Sequence, residues 1–546
     1  MLLIECANIK KYYGDRLILD IEGLKIYSND RIGVVGLNGM GKTTLLNILC
    51  GNLNPDEGFV KRYKSFSYIS QLETTIEEAV SGETASKFGI SEALKEYMSG
   101  GEKTKFRLAK GLDERSEIIF ADEPTPNLDI DSVKLIEEKF KAYKGALVIV
   151  SHDRSFLDRI CNKILEIDKG KLKIYTGNYT AYKEQREKEN ERARFEYEKY
   201  QREKKRLENV MVETNEKGRS IKKAPSRMGN SEARLHKMGD QRAKANLDRA
   251  AKSIKSRLNN LEVKEKPSEV DKIKLDALSS GKLHSKILIS GKNINKEFKD
   301  KVIFKGASFD IYNGSKTALI GANGSGKTTL INMIMKGNSS LKISNVAKIG
   351  YFSQSLDILD ENSSIIENIM KESIYSESFA RTLLARLLFK KEDIYKKVEL
   401  LSGGERVKAS FAKIFLRDIN LLILDEPTNY LDIYSMEALE EALRDYPKTI
   451  LFVSHDRGFV SSIADNVLSI EDKKFVSFKG TYEEFIESKT KKIDNSREEK
   501  EKRILILENR ISELIGRLSM PSKKDNVEML DKEYRSVLLE LKELRR

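Results

Sequence analysis

The chain is 546 residues long, carries 98 Lys and Arg against 85 Asp and Glu for a formal net charge of +13, and is 39% hydrophobic. This length favours several domains, each burying its own core. No run of 18 or more apolar residues is available to span a bilayer, Glu5, Lys10 and Lys11 interrupt the start too early for a signal peptide, and Cys6, Cys50 and Cys161 lie far apart as reduced thiols, so the expectation is a cytoplasmic protein with no membrane partner.

From the N-terminus, Ile32–Val35 reads as a buried strand, followed by a loop from Gly36 to Thr43 and a helical run Thr44–Leu49. Ile118–Ala121 and Leu147–Val150 are further apolar strands, leading into Asp122-Glu123 and Ser151-His152-Asp153. Such runs, alternating with helical stretches, predict an α/β lobe with a largely parallel sheet over 1–182. The pattern stops from 183 to 266. Lys183–Lys223 is dense in Glu, Lys and Arg without proline and predicts an exposed helix, roughly 60 Å long for about forty residues. Pro225 and Gly229 break it, Asn230–Leu235 restarts a turn, Gly239 loosens it, and Ala243–Leu261 is a second helical run. The reading is an antiparallel helical hairpin with an irregular tip near 224–241. A second α/β lobe is predicted over 267–489, with strands at Leu421–Leu424 and Ile450–Val453. Residues 490–546 form a C-terminal extension, read as a smaller hairpin. Ile504, Leu507, Ile511, Leu514 and Leu518 keep helical spacing, Pro521 turns the chain, and Leu530, Val537, Leu541 and Leu544 line the return.

The two lobes repeat one another. IGVVGLNGMGKTT at 32–44 recurs as ALIGANGSGKTT at 318–329. Ser99, Asp122, Glu123, Asp129 and His152 have twins 303 positions on, at Ser402, Asp425, Glu426, Asp432 and His455, and Gly177-Asn178-Tyr179 returns as Gly480-Thr481-Tyr482. Gln71 and Gln354 are offset by only 283, so the first lobe is shorter between its glutamine and its Ser-Gly-Gly segment.

Gly36, Asn38, Gly39, Gly41, Lys42, Thr43 and Thr44, with Gly321, Asn323, Gly324, Gly326, Lys327, Thr328 and Thr329, make two loops of the form G-x-x-x-x-G-K-[ST] between strand and helix. Glycines let such a loop curl its N–H groups round phosphate, the lysine reaches the β- and γ-phosphates, and the threonine hydroxyl serves magnesium. Asp122 and Asp425 end apolar strands where a carboxylate can hold Mg2+, and Glu123 and Glu426 beside them can polarise an attacking water. Two of the four histidines, His152 and His455, fall at matched positions fit to face a γ-phosphate. His236 and His284 have no such twin. Ser151 lacks the G-x-S-x-G elbow of a nucleophile. From Lys217 to Arg257 there are 13 Lys and Arg against three Asp and Glu, so most of the excess charge sits on one half of the hairpin, as contact with an RNA phosphate backbone requires. Apolar Met228, Leu235 and Met238 stand at the tip.

Together these residues resemble the ATP-binding-cassette superfamily over both lobes. The resemblance reads Ser99-Gly100-Gly101 and Ser402-Gly403-Gly404 as signature segments, and implies that Lys42 shares one ATP with Ser402 and Lys327 the other with Ser99 in an intramolecular lobe dimer within one monomeric chain. Gln71 and Gln354 look like its magnesium-contacting glutamines, and Tyr13 and Phe298 like its adenine-stacking aromatics. Met98, Ala121 and Pro126 depart from the usual pattern in the first lobe while the catalytic groups remain. Two cassette lobes joined by a basic helical linker resemble the ABC-F proteins, which act on ribosomes. The short span from Gln71 to Ser99, the tip PSRMGNSEARLHKMG and the C-terminal extension are similar to the Vga/Vml antibiotic-resistance type. That likeness implies a partner in the bacterial ribosome: large-subunit rRNA, the tRNA exit site and peptidyl tRNA. There Arg227, Met228, Arg234, Leu235, His236 and Met238 would approach the sites of lincosamides, pleuromutilins and group A streptogramins. The alternative within the family is a housekeeping translation factor acting on stalled or idle ribosomes without a drug.

Overall fold

A computed structural model describes residues 1–70, 79–91, 93, 98–114, 116–126, 128–220, 230–264, 285–298, 301–353, 358–519 and 526–544. The chain divides into two compact units. One comprises Met1–Glu96, Phe106–Thr125 and Leu135–Ile273, and the other Tyr97–Lys105, Pro126–Lys134 and Lys274–Arg546.

In the first unit a six-stranded sheet runs in the order Phe66–Ile69, Ile118–Asp122, Ala146–Val150, Arg31–Val35, Lys163–Asp168, Lys171–Thr176. Its first five strands are parallel and only the last is antiparallel. Ile118–Asp122 and Ala146–Val150 are buried at every position, which is why they read as unbroken apolar runs rather than alternating ones. The helix Lys42–Cys50 packs Leu45, Leu46, Ile48 and Leu49 into the same core as Ile32, Val34, Phe120 and Val148. A separate antiparallel sheet, Arg16–Tyr27, Leu2–Tyr13 and Glu57–Arg62, joins this core through Leu3, Ile9, Leu19 and Ile21. That sheet was not foreseen. Its alternation is interrupted at Asn8, which takes a left-handed φ of 51° where the register slips between Ala7 and Lys10.

The second unit repeats both sheets. The six-stranded one runs Ile349–Phe352, Leu421–Asp425, Thr449–Val453, Lys316–Gly321, Asn466–Glu471, Lys474–Lys479, and the antiparallel one runs Lys301–Tyr312, Ile287–Phe298, Leu341–Ile343. Asn293 repeats the left-handed residue at φ 49°.

Each lobe ends in a long helix. The Gly-Asn-Tyr and Gly-Thr-Tyr phrases are the start signals. Asn178 accepts the Ala181 N–H at 3.1 Å and Thr481 the Glu484 N–H at 3.3 Å, opening Tyr179–Ser220 and Tyr482–Ser519. Tyr179–Ser220 packs on Asn230–Asn259, and beyond that second helix Lys264 pairs with Glu196 at 3.5 Å, as the return arm of an antiparallel hairpin should. Leu247, Ala251, Ile254 and Leu258 are half-buried at helical spacing and form the seam. Asn230–Asn259 is one helix, so neither Gly239 nor the turn expected before it interrupts the arm. A single interior glycine costs only about 1 kcal/mol relative to alanine, which the surrounding Ala, Arg and Lys residues offset. Tyr482–Ser519 packs on Val527–Leu544, with Leu507, Leu514, Leu530 and Leu541 buried, the seam expected for the C-terminal hairpin. Among the described residues no helix is long and apolar enough to cross a membrane.

Candidate active site

Both glycine-rich loops leave the C-terminal end of the strand next to the histidine-bearing strand, where open α/β sheets collect their ligands. Gly36, Gly39 and Gly41 have φ of 155°, 76° and 91°, and Gly321, Gly324 and Gly326 have 157°, 74° and 109°, so the two loops share one conformation. A Cβ on Gly36 would lie 2.6 Å from the Ile167 carbonyl oxygen, and one on Gly326 2.5 Å from Ile303. These positions need glycine for space as well as for φ. Lys42 is buried and donates to the Gly36 carbonyl at 2.8 Å and the Leu37 carbonyl at 3.2 Å, while Lys327 donates to the Gly321 and Ala322 carbonyls at 2.8 and 3.2 Å. Burial lowers the Lys327 ammonium below its usual range, against the opposing pull of Glu426, Asp129 and Asp425.

Asp122 stands opposite Val150 in the sheet register and Asp425 opposite Val453, so each acidic strand ends beside the strand that feeds the histidine. Burial raises both aspartates, and a hydrogen bond with Thr43 opposes the rise at Asp122. Glu123 and Glu426 both sit at φ 50°, held by backbone N–H bonds to the Val150 and Val453 carbonyls at 2.9 and 3.0 Å. Non-glycine residues seldom adopt this conformation, and here it occurs twice at the same point of the repeat. His152 Nε2 lies 3.2 Å from Glu123 Oε1, and His455 Nε2 3.3 Å from Glu426 Oε1. Burial pushes the Glu426 carboxyl up to about 7 and moves Glu123 in the same direction, while burial and then Lys327 push the His455 imidazole down to about 4. A neutral imidazole therefore faces a carboxyl whose proton affinity suits exchange near neutrality. The flanking residues are architectural. Ser151 and Ser454 accept the Asp153 and Asp456 N–H groups at 3.1 Å, and those aspartates cap the next helices through Phe156 and Phe459, both at 2.9 Å.

The Ser-Gly-Gly-Glu segments are capping boxes, which the sequence reading did not recognise although Ser-x-x-Glu is their signature. Ser402 Oγ accepts the Glu405 N–H at 3.4 Å while the Glu405 carboxylate accepts the Ser402 N–H at 2.9 Å, and Ser99 with Glu102 repeats this at 3.4 and 2.8 Å. Gly100 and Gly101, like Gly403 and Gly404, thus open helices, and a helix N-terminus is the end that receives anions. Within the second unit Asp129 caps the helix Ile130–Ala142 through the Ser132 N–H at 3.0 Å, and its other oxygen accepts the Asn323 N–H of the glycine-rich loop at 3.1 Å. Asp129 was noted only as a repeated residue, and its recurrence at Asp432 was the available signal.

Tyr13 and Phe298 are each 54% exposed at the ends of their long strands, so neither is core, and the Lys296 ammonium lies 4.9 Å over the Phe298 ring. Gln71, Gln354, Arg227 and Met228 lie outside the described residues. Arg234, Leu235, His236 and Met238 fall on Asn230–Asn259. In the first lobe the Thr43 hydroxyl lies on Asp122, and in the second Asp425 Oδ1 is buried without a hydrogen-bond partner among the described residues, so each lobe offers its own oxygen donors of the kind that fit a hard divalent cation such as Mg2+.

Family comparison agrees with this geometry. The family described as ABC transporter matches residues 19–126 and 304–429, and a second family with the same description matches 165–241. The chain is 31% identical over 553 residues to the ribosome protection protein VmlR of Bacillus subtilis (strain 168), covering 99% of this chain and 98% of that one. This protein belongs to the ABC-F family. It is also 34% identical to the erythromycin resistance ATP-binding protein MsrA of Staphylococcus epidermidis, over 85% of this chain and 96% of that protein. In fold it resembles the archaeal ribosome recycling factor aABCE1, solved in complex with the ribosomal stalk protein aP1, with a TM-score of 0.60 at 19% identity over 88% and 92% of the two chains. As an ABC-F protein with tandem ATP-binding-cassette lobes, it is an ATPase.

Proposed function

We propose that this ABC-F ATPase acts on the bacterial ribosome and protects it from peptidyl-transferase-centre antibiotics. What carries the reading is that the likeness to a ribosome protection protein runs through the linker and the C-terminal hairpin as well as the cassettes. The linker supports it physically. A 42-residue helix reaches roughly 60 Å, and its partner arm carries the one-sided basic charge that RNA contact needs. In this reading the arm enters from the tRNA exit site and its tip, from Arg227 to Met238, displaces a lincosamide, pleuromutilin or group A streptogramin.

The same proposal assigns the chemistry. The P-loop backbones, Lys42 and Lys327 hold the phosphates, and Ser99 and Ser402 complete each ATP from the opposite lobe. Lys327 and Ser99 belong to one compact unit, which favours that pairing. Thr43, Asp122, Thr328 and Asp425, with Gln71 and Gln354, would hold Mg2+, which when bound neutralises charge on the β- and γ-phosphates. Glu123 and Glu426 take a proton from the attacking water, and His152 and His455 orient them. Hydrolysis then releases the protein.

The test is bacterial cell-free translation inhibited by a lincosamide or pleuromutilin, with and without this protein and ATP. Restored synthesis without drug destruction, lost on substituting tip residues, is expected. Ribosome-stimulated hydrolysis with no restoration in either drug class would instead favour a housekeeping translation factor.

A further inference from the structure

Glu166 lies on the strand Lys163–Asp168 and is only 6% exposed. Its carboxylate accepts the Tyr182 hydroxyl at 3.0 Å and the Tyr175 hydroxyl at 3.1 Å, and pairs with Arg186 Nε at 3.0 Å. Tyr182 and Arg186 are one turn apart near the start of the linker helix Tyr179–Ser220. Tyr175 comes from the neighbouring edge strand, and its ring meets that of Tyr182 edge-on at 4.9 Å. On its other side Glu166 stands opposite Val35 in the parallel register, immediately before Gly36. The carbonyl of Ile167, the next residue, occupies the space a Cβ on Gly36 would need. A path of a few residues therefore joins the phosphate loop to the root of the linker.

The second lobe shows what this joint looks like without the carboxylate. At the same offset it has Ser469, Phe478, Phe485 and Lys489 in place of Glu166, Tyr175, Tyr182 and Arg186. Phe478 and Phe485 meet edge-on at 5.7 Å, and Lys489 makes a partly exposed pair with Glu471 at 2.7 Å. A long helix is thus seated on this fold without a buried carboxylate, by ring contact and one partly exposed ion pair. A buried carboxylate is costly unless its oxygens are satisfied; here Tyr182 and Arg186 of the linker helix meet one oxygen, and the Tyr175 hydroxyl, whose single proton is shared with Glu189 at 3.0 Å, meets the other. Apolar packing is non-directional, whereas hydrogen bonds to a charged acceptor fix an angle.

We propose that Glu166 is a positioning residue that locks the linker root to the phosphate-loop strand, so that nucleotide bound at Gly36–Thr43 is felt by the linker helix. The inference concerns the first lobe and its own helix, and holds whatever partner the linker reaches.

Hydrogen–deuterium exchange on the full chain tests it, with and without Mg2+ and a non-hydrolysable ATP analogue. In the natural protein the analogue should slow exchange at 36–44 and also at 179–190, the latter by about tenfold, the effect of one hydrogen bond to a charged group. The triple variant Glu166→Ser, Tyr175→Phe, Tyr182→Phe puts the second lobe's residues at three positions of the first lobe's joint and keeps Arg186. It should keep the response at 36–44 and lose it at 179–190. The single variant Arg186→Gln, which removes only the half-exposed partner, should weaken the response at 179–190. An undiminished helix response in both variants overturns the proposal. So does a natural protein in which 36–44 slows and 179–190 does not.

Discussion

At the scale of single residues the site depends on backbone conformations that sequence does not display. The glycine-rich loops, acidic pairs and matched histidines were legible as motifs because their spacing is repeated in both lobes. The left-handed conformation of Glu123 and Glu426 was not, because nothing about a glutamate announces φ 50°. Changing both to glutamine should lower turnover by about a hundredfold or more while ATP binding persists, checked by phosphate release and nucleotide titration. Glu426 also makes a stability prediction. Its carboxyl binds a proton more tightly folded, at about 7, than unfolded, at its ordinary 4.5, so its contribution to stability falls as pH rises through that window. Glu426→Gln should therefore be the more stable protein at pH 8 without nucleotide or divalent ion, by up to about 3 kcal/mol, with the difference closing near pH 5. Denaturant melts at the two pH values decide it. Within one loop, Gly36→Ala meets a carbonyl at 2.6 Å whereas Gly39→Ala meets nothing within 4 Å. The second should cost only the left-handed backbone penalty, about 1–2 kcal/mol, and the first should also displace the loop and weaken ATP binding.

At the scale of elements, strands were easier to read than helix boundaries. Ile118–Asp122 and Leu421–Asp425 are buried on both faces and so carry unmistakable apolar runs, while the antiparallel sheets alternate buried and exposed residues around a bulge and passed unnoticed. The helix through Gly239 was misread because one glycine was given more weight than the helix formers around it. The signature segments show the same limit, since their motif was recognised but their mechanical role as N-terminal caps was not. Ser402→Ala removes the side-chain acceptor of the Glu405 N–H and should cost about 1 kcal/mol. A Ser402→Thr change keeps the oxygen and should recover most of that stability in the same denaturant series.

At the scale of the whole molecule the repeat was the strongest signal, and it extends further than the lobes. Tyr179–Ser220 and Tyr482–Ser519 start at equivalent points and each folds back on a second helix, so linker and C-terminal hairpin are the same appendage in two versions. Their charge separates them. On the linker's return arm Arg249, Lys252, Lys255 and Arg257 are exposed, while Leu247, Ile254 and Leu258 turn toward the seam, so the cations are available to a polyanion without disturbing the packing. If these cations meet RNA phosphate, the logarithm of ribosome affinity falls linearly with the logarithm of salt concentration, and each lost phosphate contact flattens the slope by about 0.7–0.9. Changing Arg249, Lys252, Lys255 and Arg257 together to glutamine should then flatten it by up to about 3–4. Basal ATP turnover should stay unchanged, because no residue of the glycine-rich loops or acidic strands is touched. A slope identical to that of the natural protein would place the binding charge elsewhere. Weakened binding at every salt concentration with no change in slope would mean that the arm acts through its shape rather than its charge.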